Sequence, residues 1–459
     1  MRLTTGCLLW VMLTASTLHG QPTQFQGSVP TGVPSSTPLA LTLHDAIERG
    51  LKANLGLLMS DSTSEIARGD RLRALSALMP QLNGRAGETD EKLNLKTVGF
   101  NLNIPGISIP TIVGPFHYID VRAYVSWTAF DYTALKNFSA AQETRRAVQL
   151  SVLDARDLVV QATANGYLQI IADASRVDAI RSQVETSQVL YDRAIDQQNA
   201  GTAAGIDVLR SQVELKQQMQ RLLVQTNQFE KDKLALGRVI GMPAGQYFNI
   251  VETAPFGPLA SMTQDQALQT ALQQRPDFQG YKARVRAAEQ AIKAARGERY
   301  PTAQITADYG DVGTTLGDAR GTFSVVASAK IPVFDGGRIA GDVIRARSAL
   351  KQRQDELADL GGQIEYQVRA AFLDIQSAAD QVAVAHDNLD LANQTLVQAR
   401  DRFSAGVSDT VEVVQAQESV ATANDTLISA LFAHNVAKVA LARALGSTEQ
   451  AIQRLLEVK

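Results

Sequence analysis

The sequence contains the same pattern twice. The short segment Phe130-Asp131 recurs as Phe334-Asp335, and each copy then continues into a long helical pattern interrupted by a glycine, Gly201 or Gly406. Each copy also ends on a similar hexapeptide. An internal repeat of this size predicts two structurally equivalent halves that form one body, and such pseudo-symmetry favours a ring or a tube.

The two copies define a domain organisation. In chain order we predict a signal peptide at 1–20, a proline-rich leader at 21–41, a first repeat at 42–246, a linker at 247–262, a second repeat at 263–448 and a C-terminal tail at 449–459. The signal peptide is indicated by Arg2 followed by an apolar stretch. Cys7, the sole cysteine, lies inside it, and Thr4 stands where a lipid-anchored protein needs an aliphatic residue. We therefore expect no disulfide and no lipid anchor.

Composition excludes several classes of function. A formal net charge of −3 gives no basic surface for nucleic acid. The histidines do not occur at metal-ligand spacing, and neither a phosphate-binding loop nor a Gly-x-Ser-x-Gly motif is present. We therefore predict no enzyme, no metal and no cofactor. No stretch of 18 apolar residues follows the signal peptide, which argues against a transmembrane helix.

Prolines delimit two helical hairpins. None occurs between Asp131 and Met242 or after Pro332, and each of these runs contains a glycine-marked break, near 201 and near 406. In the second hairpin, large apolar residues recur every seven positions, with alanines between them. This spacing predicts a coiled-coil seam with closely spaced backbones. The seam residues are Val368, Ile375, Val382, Leu389, Leu396 and Phe403, with Ala371, Ala378, Ala385, Ala392 and Ala399.

Two strand pairs precede the hairpins. Strands are predicted near 81–88 and 118–128 in the first repeat, and near 302–309 and 322–331 in the second. Apolar and polar residues alternate along them, which is typical both of an outer-membrane barrel and of a half-buried soluble sheet. Four strands cannot close a barrel alone, so the membrane interpretation requires several copies of the chain. The fold class is thus mainly α with a small β part.

With its repeated corners and tips, the chain resembles the TolC-like outer membrane factors over about residues 42 to 446. The motifs that carry this resemblance are Val333-Phe-Asp-Gly-Gly-Arg338, Ala129-Phe-Asp-Tyr132 and the two tips, each with an acid six residues after its glycine. The resemblance implies a homotrimeric β-barrel in outer membrane lipid, continued by an α-helical periplasmic tunnel. It also implies two partners, a periplasmic adaptor and an inner-membrane pump, and the function of an efflux or type I secretion channel.

The resemblance further implies a pore constriction at the tips. Glu412 occupies an acidic position of that constriction, and Asp207 is its counterpart in the first repeat. Ser408 stands where an arginine can bridge the tips, and Gln415 stands where a second acidic ring can lie. We therefore expect packing and hydrogen bonds to hold the tips closed. Asp409 and Glu412 also fit a plain helix-capping pair, so Glu412 has a second interpretation.

Two other classes of protein share some of these features. A periplasmic coiled-coil adaptor is also exported, although adaptors usually insert one hairpin into a single β-rich domain. A soluble structural coiled coil would have no use for alternating strands that end near Trp127 and Phe334. Detergent-dependent extraction from an outer-membrane fraction would separate the channel from both alternatives.

Overall fold

The structure is a computed structural model. It describes residues 25–97, 99, 110–202, 204–253, 256, 257, 262–408, 410–446 and 448–455; the predicted signal peptide lies outside them. The described chain is mainly helical with a small β part, as predicted. Its elements are β1 (Leu39–Leu41), α1 (Leu43–Ala53), α2 (Leu55–Ser76), β2 (Gln81–Asn94), β3 (Ile112–Phe130), α3 (Tyr132–Asn199), α4 (Gly205–Val239), β4 (Phe248–Ile250), α5 (Gln264–Gln274), α6 (Pro276–Gly297), β5 (Thr302–Gly313), β6 (Arg320–Lys330), α7 (Arg338–Ser404), α8 (Thr410–Leu445) and α9 (Thr448–Leu455).

The internal repeat is visible in local hydrogen bonding. Thr42 caps α1 in a capping box with Asp45, and Thr263 caps α5 in the same way with Gln266. The two strand-to-helix corners also match. The Asp131 carboxylate accepts a hydrogen bond from the Ala134 N–H at 2.9 Å. The repeated aspartates, Asp131 and Asp335, therefore cap the N-terminal ends of the long helices α3 and α7.

Asp335 shows the chemistry of such a corner most clearly. Its carboxylate accepts the Ile339 N–H at 2.8 Å and the Gly337 N–H at 3.1 Å. These backbone donors lower the pKa of Asp335 below its ordinary value, because they stabilise the charged form. Gly336 and Gly337 have positive φ angles of 64° and 90°, a conformation that glycine adopts without a steric cost.

One compact unit, Ser62–Ser151 with Asp277–Gly362, contains a four-stranded sheet. The strand order is β2-β3-β5-β6, and every neighbouring pair is antiparallel. On its polar face, Arg122 binds Asp120 and Asp308 and donates to Thr322, which ties β3 to β5 and β6. β2 and β6 form the two edges, with one neighbour each in the protomer.

The apolar face of this sheet is exposed. Register places Val125 beside Leu82 and Ala307, and Ala307 beside Val325, so that apolar side chains continue across all four strands. Along the middle of β3 the apolar positions are exposed, and the polar positions between them are partly buried. In a soluble half-buried sheet the apolar positions are buried and the polar positions are exposed, so the exposure pattern along β3 is the reverse.

The predicted strands lie within the observed ones or extend at most one residue beyond them. The strand pair of the first repeat is longer than the pair of the second. β2 and β3 contain 14 and 19 residues, whereas β5 and β6 contain 12 and 11. The extra residues of the first repeat therefore extend its strand hairpin. The part of this hairpin at 101–109 lies outside the described residues.

The second compact unit comprises the described parts of Met1–Asp61, Val152–Pro276 and Gln363–Lys459. It contains the predicted seam. Val368, Ile375 and Val382 of α7 are buried, as are the alanines between them. Their partners lie on α8: Val382 and Ala385 pack with Ala430, and Ala392 packs with Val420 and Ala423. The heptad interpretation of α7 is therefore confirmed.

A larger core in the same unit brings together segments near the two ends of the described chain. Leu41, Tyr167, Leu236 and Ile452 are among its buried residues, and the Tyr167 hydroxyl donates to the Leu41 carbonyl at 2.9 Å. The described leader is anchored at its two ends, since Phe25 and Leu41 are buried and β1 pairs in parallel with β4 of the predicted linker, whereas residues 29–38 are exposed. The predicted tail likewise contains α9, which buries Ile452.

Helix α8 differs from the expectation that no segment after the signal peptide is apolar enough for a transmembrane helix. Within the described part of the chain, it alone is long and apolar enough to cross a membrane by length and composition, with a mean hydropathy of 1.2 over an 18-residue window. Half of that window is buried inside the fold. Val420, Ala423 and Ala430 pack on α7, and Val439 and Ala442 pack in the larger core, so its composition reflects packing inside the fold.

Candidate functional site

Both hairpin tips turn on a glycine with the same backbone geometry. Gly201 has a φ of +74° and Gly406 a φ of +71°. The next residue in each tip donates its N–H five residues back, Thr202 to Gln197 at 2.9 Å and Val407 to Arg402 at 3.0 Å. This is the Schellman arrangement that ends a helix on a left-handed residue, and here it turns α3 into α4 and α7 toward α8.

Asp207 lies in the first turn of α4, where a carboxylate is favoured by the helix dipole. It accepts a hydrogen bond from the Thr410 hydroxyl, the first residue of α8, at 3.3 Å. It also lies 3.6 Å from the Arg210 guanidinium. The two tips of one protomer are therefore adjacent, and they are joined by this long hydrogen bond and by the packing of Leu190 of α3 against Phe403 and Val413.

Glu412 lies in the first turn of α8 and has a cationic partner. The Arg402 Nε, near the end of α7, is 3.1 Å from its carboxylate, and both side chains are about half exposed. The charge expected at the constriction is thus partly neutralised within the tip. The sequence pattern did not reveal Arg402 as a partner, because the pair forms only after the chain has turned at Gly406.

The remaining predicted positions contribute no ion pair to the described contacts. The Ser408 hydroxyl is buried and has no hydrogen-bond partner within the described structure. Gln415 is exposed on α8 and lines a groove of about 400 Å³ with apolar residues of α4, among them Ile206 and Leu209. Asp409 lies outside the described residues, so its capping role stays a prediction.

Charged contacts between the two repeats lie farther from the tips, and sequence reasoning missed them. Arg221 of α4 binds Glu418 of α8, and Arg176 of α3 binds Asp425 of α8. The only available signal was that Glu418 and Asp425 lie seven residues apart, on one face of a helix. Among the described residues, no group of three or more His, Cys, Asp or Glu is placed to hold a metal ion.

Comparisons with known proteins agree with this fold. The Outer membrane efflux protein family matches residues 267–447. The pyoverdine export outer membrane protein OpmQ of Pseudomonas aeruginosa is 23% identical over 419 residues, covering 88% of this chain and 85% of OpmQ. The toluene efflux pump outer membrane protein TtgF of Pseudomonas putida is 24% identical over 423 residues, covering 88% and 83%.

A solved structure shows the same architecture. The outer membrane protein VceC of Vibrio cholerae superposes with a TM-score of 0.74 at 19% identity, covering 88% of this chain and 96% of VceC. This likeness concerns the fold. The sequence matches add that the chain is similar to the outer membrane efflux proteins, whose family model covers its second repeat, and these relatives are outer membrane channels rather than enzymes.

Proposed function

We propose that this chain is the outer membrane channel of a tripartite efflux or type I secretion system, and that three copies form one conduit from the periplasm to the exterior. The exposed apolar face of the sheet is the observation that carries this proposal. Val125 is 37% exposed, Val325 65% and Phe323 76%. A contiguous apolar patch of this kind marks an interaction surface. In this proposal, outer membrane lipid covers the apolar face.

The edges of the sheet support an oligomer. β2 and β6 each have a single neighbour in the protomer, and unpaired backbone groups cannot face lipid because the bilayer core offers no hydrogen-bond partners. Pairing β6 of one copy with β2 of the next removes both edges and closes a barrel. The number three rests on the resemblance to the TolC-like channels.

The length and ends of the apolar face suit a bilayer. The alternating segment from Ile119 to Trp127 spans roughly 27 Å at about 3.4 Å per residue before tilt, close to the hydrophobic band of an outer-membrane barrel. Exposed aromatic side chains stand at the end nearer the helices: Trp127, Phe130 and Phe334. Such aromatic belts are typical of membrane interfaces.

The hairpin tips then form the periplasmic entrance. Three copies of Glu412 would surround a narrow opening, each beside its own Arg402, with Asp207 at the neighbouring tip. A periplasmic adaptor and an inner-membrane pump supply cargo and energy at this end. The predicted gate is therefore a ring of ion pairs rather than a ring of bare carboxylates.

Conductance in planar bilayers tests both the channel and the gate. The wild-type protein is expected to form pores, and Glu412→Gln, which leaves Arg402 unpaired, should lower the preference for cations. Arg402→Gln removes the positive charge beside Glu412 and should raise the preference for cations. A unit charge about 5 Å from an ion changes its energy by about 0.8 kcal/mol in water, or a factor of about four in permeability ratio.

Reversal potentials in a salt gradient measure this preference, and the shifts should shrink at high salt. Absence of pores would contradict the channel function. Pores whose selectivity is unchanged in both variants would instead remove the gate assignment and leave Glu412 with a capping role alone.

A further inference from the structure

Four helix ends meet the four-stranded sheet at one end. Thr302, the first residue of β5, pairs with Lys330, the last residue of β6. β2 begins and β3 ends on the same side, where Gln81 pairs with Ser126. The ends of α2 and α6 and the starts of α3 and α7 therefore lie at this end of the sheet, within one compact unit.

Side-chain contacts join three of these helix ends. The Tyr132 ring at the start of α3 meets the Tyr300 ring just after α6 edge to face, with the ring centroids 5.2 Å apart. Arg338, the first residue of α7, forms an ion pair with Glu298, which also lies just after α6. The charged residues of these helix ends are therefore brought to one level next to the strands.

The helical segments at this level are strongly basic. Residues 62–76, 132–151, 277–297 and 338–362 contain 16 lysines and arginines but 9 aspartates and glutamates, a net charge of +7 in a chain whose net charge is −3. Several exposed cations of these helix ends lie near the strands, and together they form what we call the basic junction: Arg73, Lys293, Arg296, Arg299 and Arg338.

Arg296 and Arg299 are the members of the basic junction that precede β5. Both are exposed, and neither has an ion-pair partner within the described part of the chain. Arg299 lies three residues before Thr302, at most about 10 Å of extended chain, and its neighbour Tyr300 is 53% exposed. Guanidinium groups without a carboxylate partner, beside an exposed aromatic ring, suit a phosphate group, which arginine binds with two parallel hydrogen bonds.

The opposite end of the apolar face has the opposite charge. Glu88 lies beside Ile119, and Asp311 lies beside Val121, in the register that continues the apolar face away from the helices. The two ends of the face therefore differ in charge, and the helix-side end is the one that attracts an anionic surface.

We propose that the basic junction binds anionic phospholipid headgroups in the periplasmic leaflet, and that this contact sets how deep the barrel sits in the outer membrane. This inference rests on the proposed channel function and names the lipid class that the channel recognises. The group that is bound is a phosphodiester anion held at a membrane surface. Each basic side chain near such a surface raises the affinity about fivefold, and the attraction falls off within a Debye length.

Lipid selectivity around the reconstituted full-length protein tests this contact. Spin-labelled phosphatidylglycerol and phosphatidylcholine would be compared by electron paramagnetic resonance in phosphatidylcholine vesicles, because lipid in contact with protein gives a motionally restricted signal. Phosphatidylglycerol should be preferred about fivefold at low salt, and the preference should fall at high salt. Arg296→Gln/Arg299→Gln should lower the preference roughly twofold or more, whereas Arg296→Lys/Arg299→Lys, which keeps both charges, should retain it.

Arg181→Gln/Arg193→Gln is the matched control. Both arginines are exposed and lie about 13 turns or more after the start of α3, so the lipid preference should stay at the wild-type value. Soluble glycerol phosphate, compared at equal ionic strength, should not displace the lipid, and displacement would mean that the junction is a site for free phosphate instead.

Three further results would overturn the proposal: equal association of both lipids with the wild type, an unchanged preference in the glutamine variant, or an equal loss in the control. If the glutamine variant does not assemble, the wild type decides, since a preference that does not fall with salt counts against the basic junction. Absence of pores in planar bilayers would instead contradict the channel itself, so the two failures are distinguishable.

Discussion

Replacing Val125 with arginine is expected to remove most of the protein from the outer membrane. Val125 lies on the apolar face, one apolar position from its middle at Ala123, between Leu82 of β2 and Ala307 of β5. If this face contacts lipid, a charge there costs about 2–4 kcal/mol per copy near the bilayer midplane, and every copy in the barrel incurs that cost. The amount of oligomer in an isolated outer-membrane fraction measures the effect.

Ser126→Arg is the matched control. Ser126 follows Val125 in the same strand and lies on the opposite, polar face, beside Gln81 and Thr306. That face would line the water-filled interior of the barrel, so an added arginine should leave the amount of oligomer nearly unchanged. Equal losses in the two variants would mean that the apolar face does not contact lipid.

Ala385→Leu is expected to lower the thermal stability of the helical hairpin. Ala385 is 3% exposed and packs in one cluster with Val382 of α7 and Ala430 of α8. Leucine adds bulk inside this packed cluster, and overpacking of this kind costs about 1–3 kcal/mol. The midpoint of thermal unfolding in detergent, followed by helical circular dichroism, should fall accordingly.

Ala383→Leu makes the same change at an exposed position two residues away. It should alter the unfolding midpoint little, because leucine and alanine differ little in helix propensity. If both variants unfold at the same temperature, the α7–α8 seam is not the close contact that the structure shows.

Features with a regular period or a repeated motif were predictable from the sequence. The seam of α7 repeats every seven residues, and each of its predicted alanines is buried. Asp131 and Asp335 recur at equivalent places, and both cap the following helix. Periodicity and capping are local properties of the chain, so they can be predicted without knowledge of the fold.

The features that the sequence did not reveal depend on contacts between distant segments. Arg221 and Glu418 meet across the two repeats, and nothing in the local sequence distinguishes this arginine from others on the surface. The short strands β1 and β4 contain three residues each, too few for an alternation to be recognised. Their pairing follows from the core around Leu41 and Phe248, where both residues are buried.

The central claim, that three copies share one barrel in the outer membrane, can be tested by native mass spectrometry. The protein would be extracted with detergent from the outer-membrane fraction of cells that express the full-length chain. It would be kept in detergent until the measurement, and the detergent would be stripped off inside the mass spectrometer. We predict an assembly of three copies that needs detergent to stay in solution. A stable single copy that remains soluble without detergent and retains its full helix content would contradict this account.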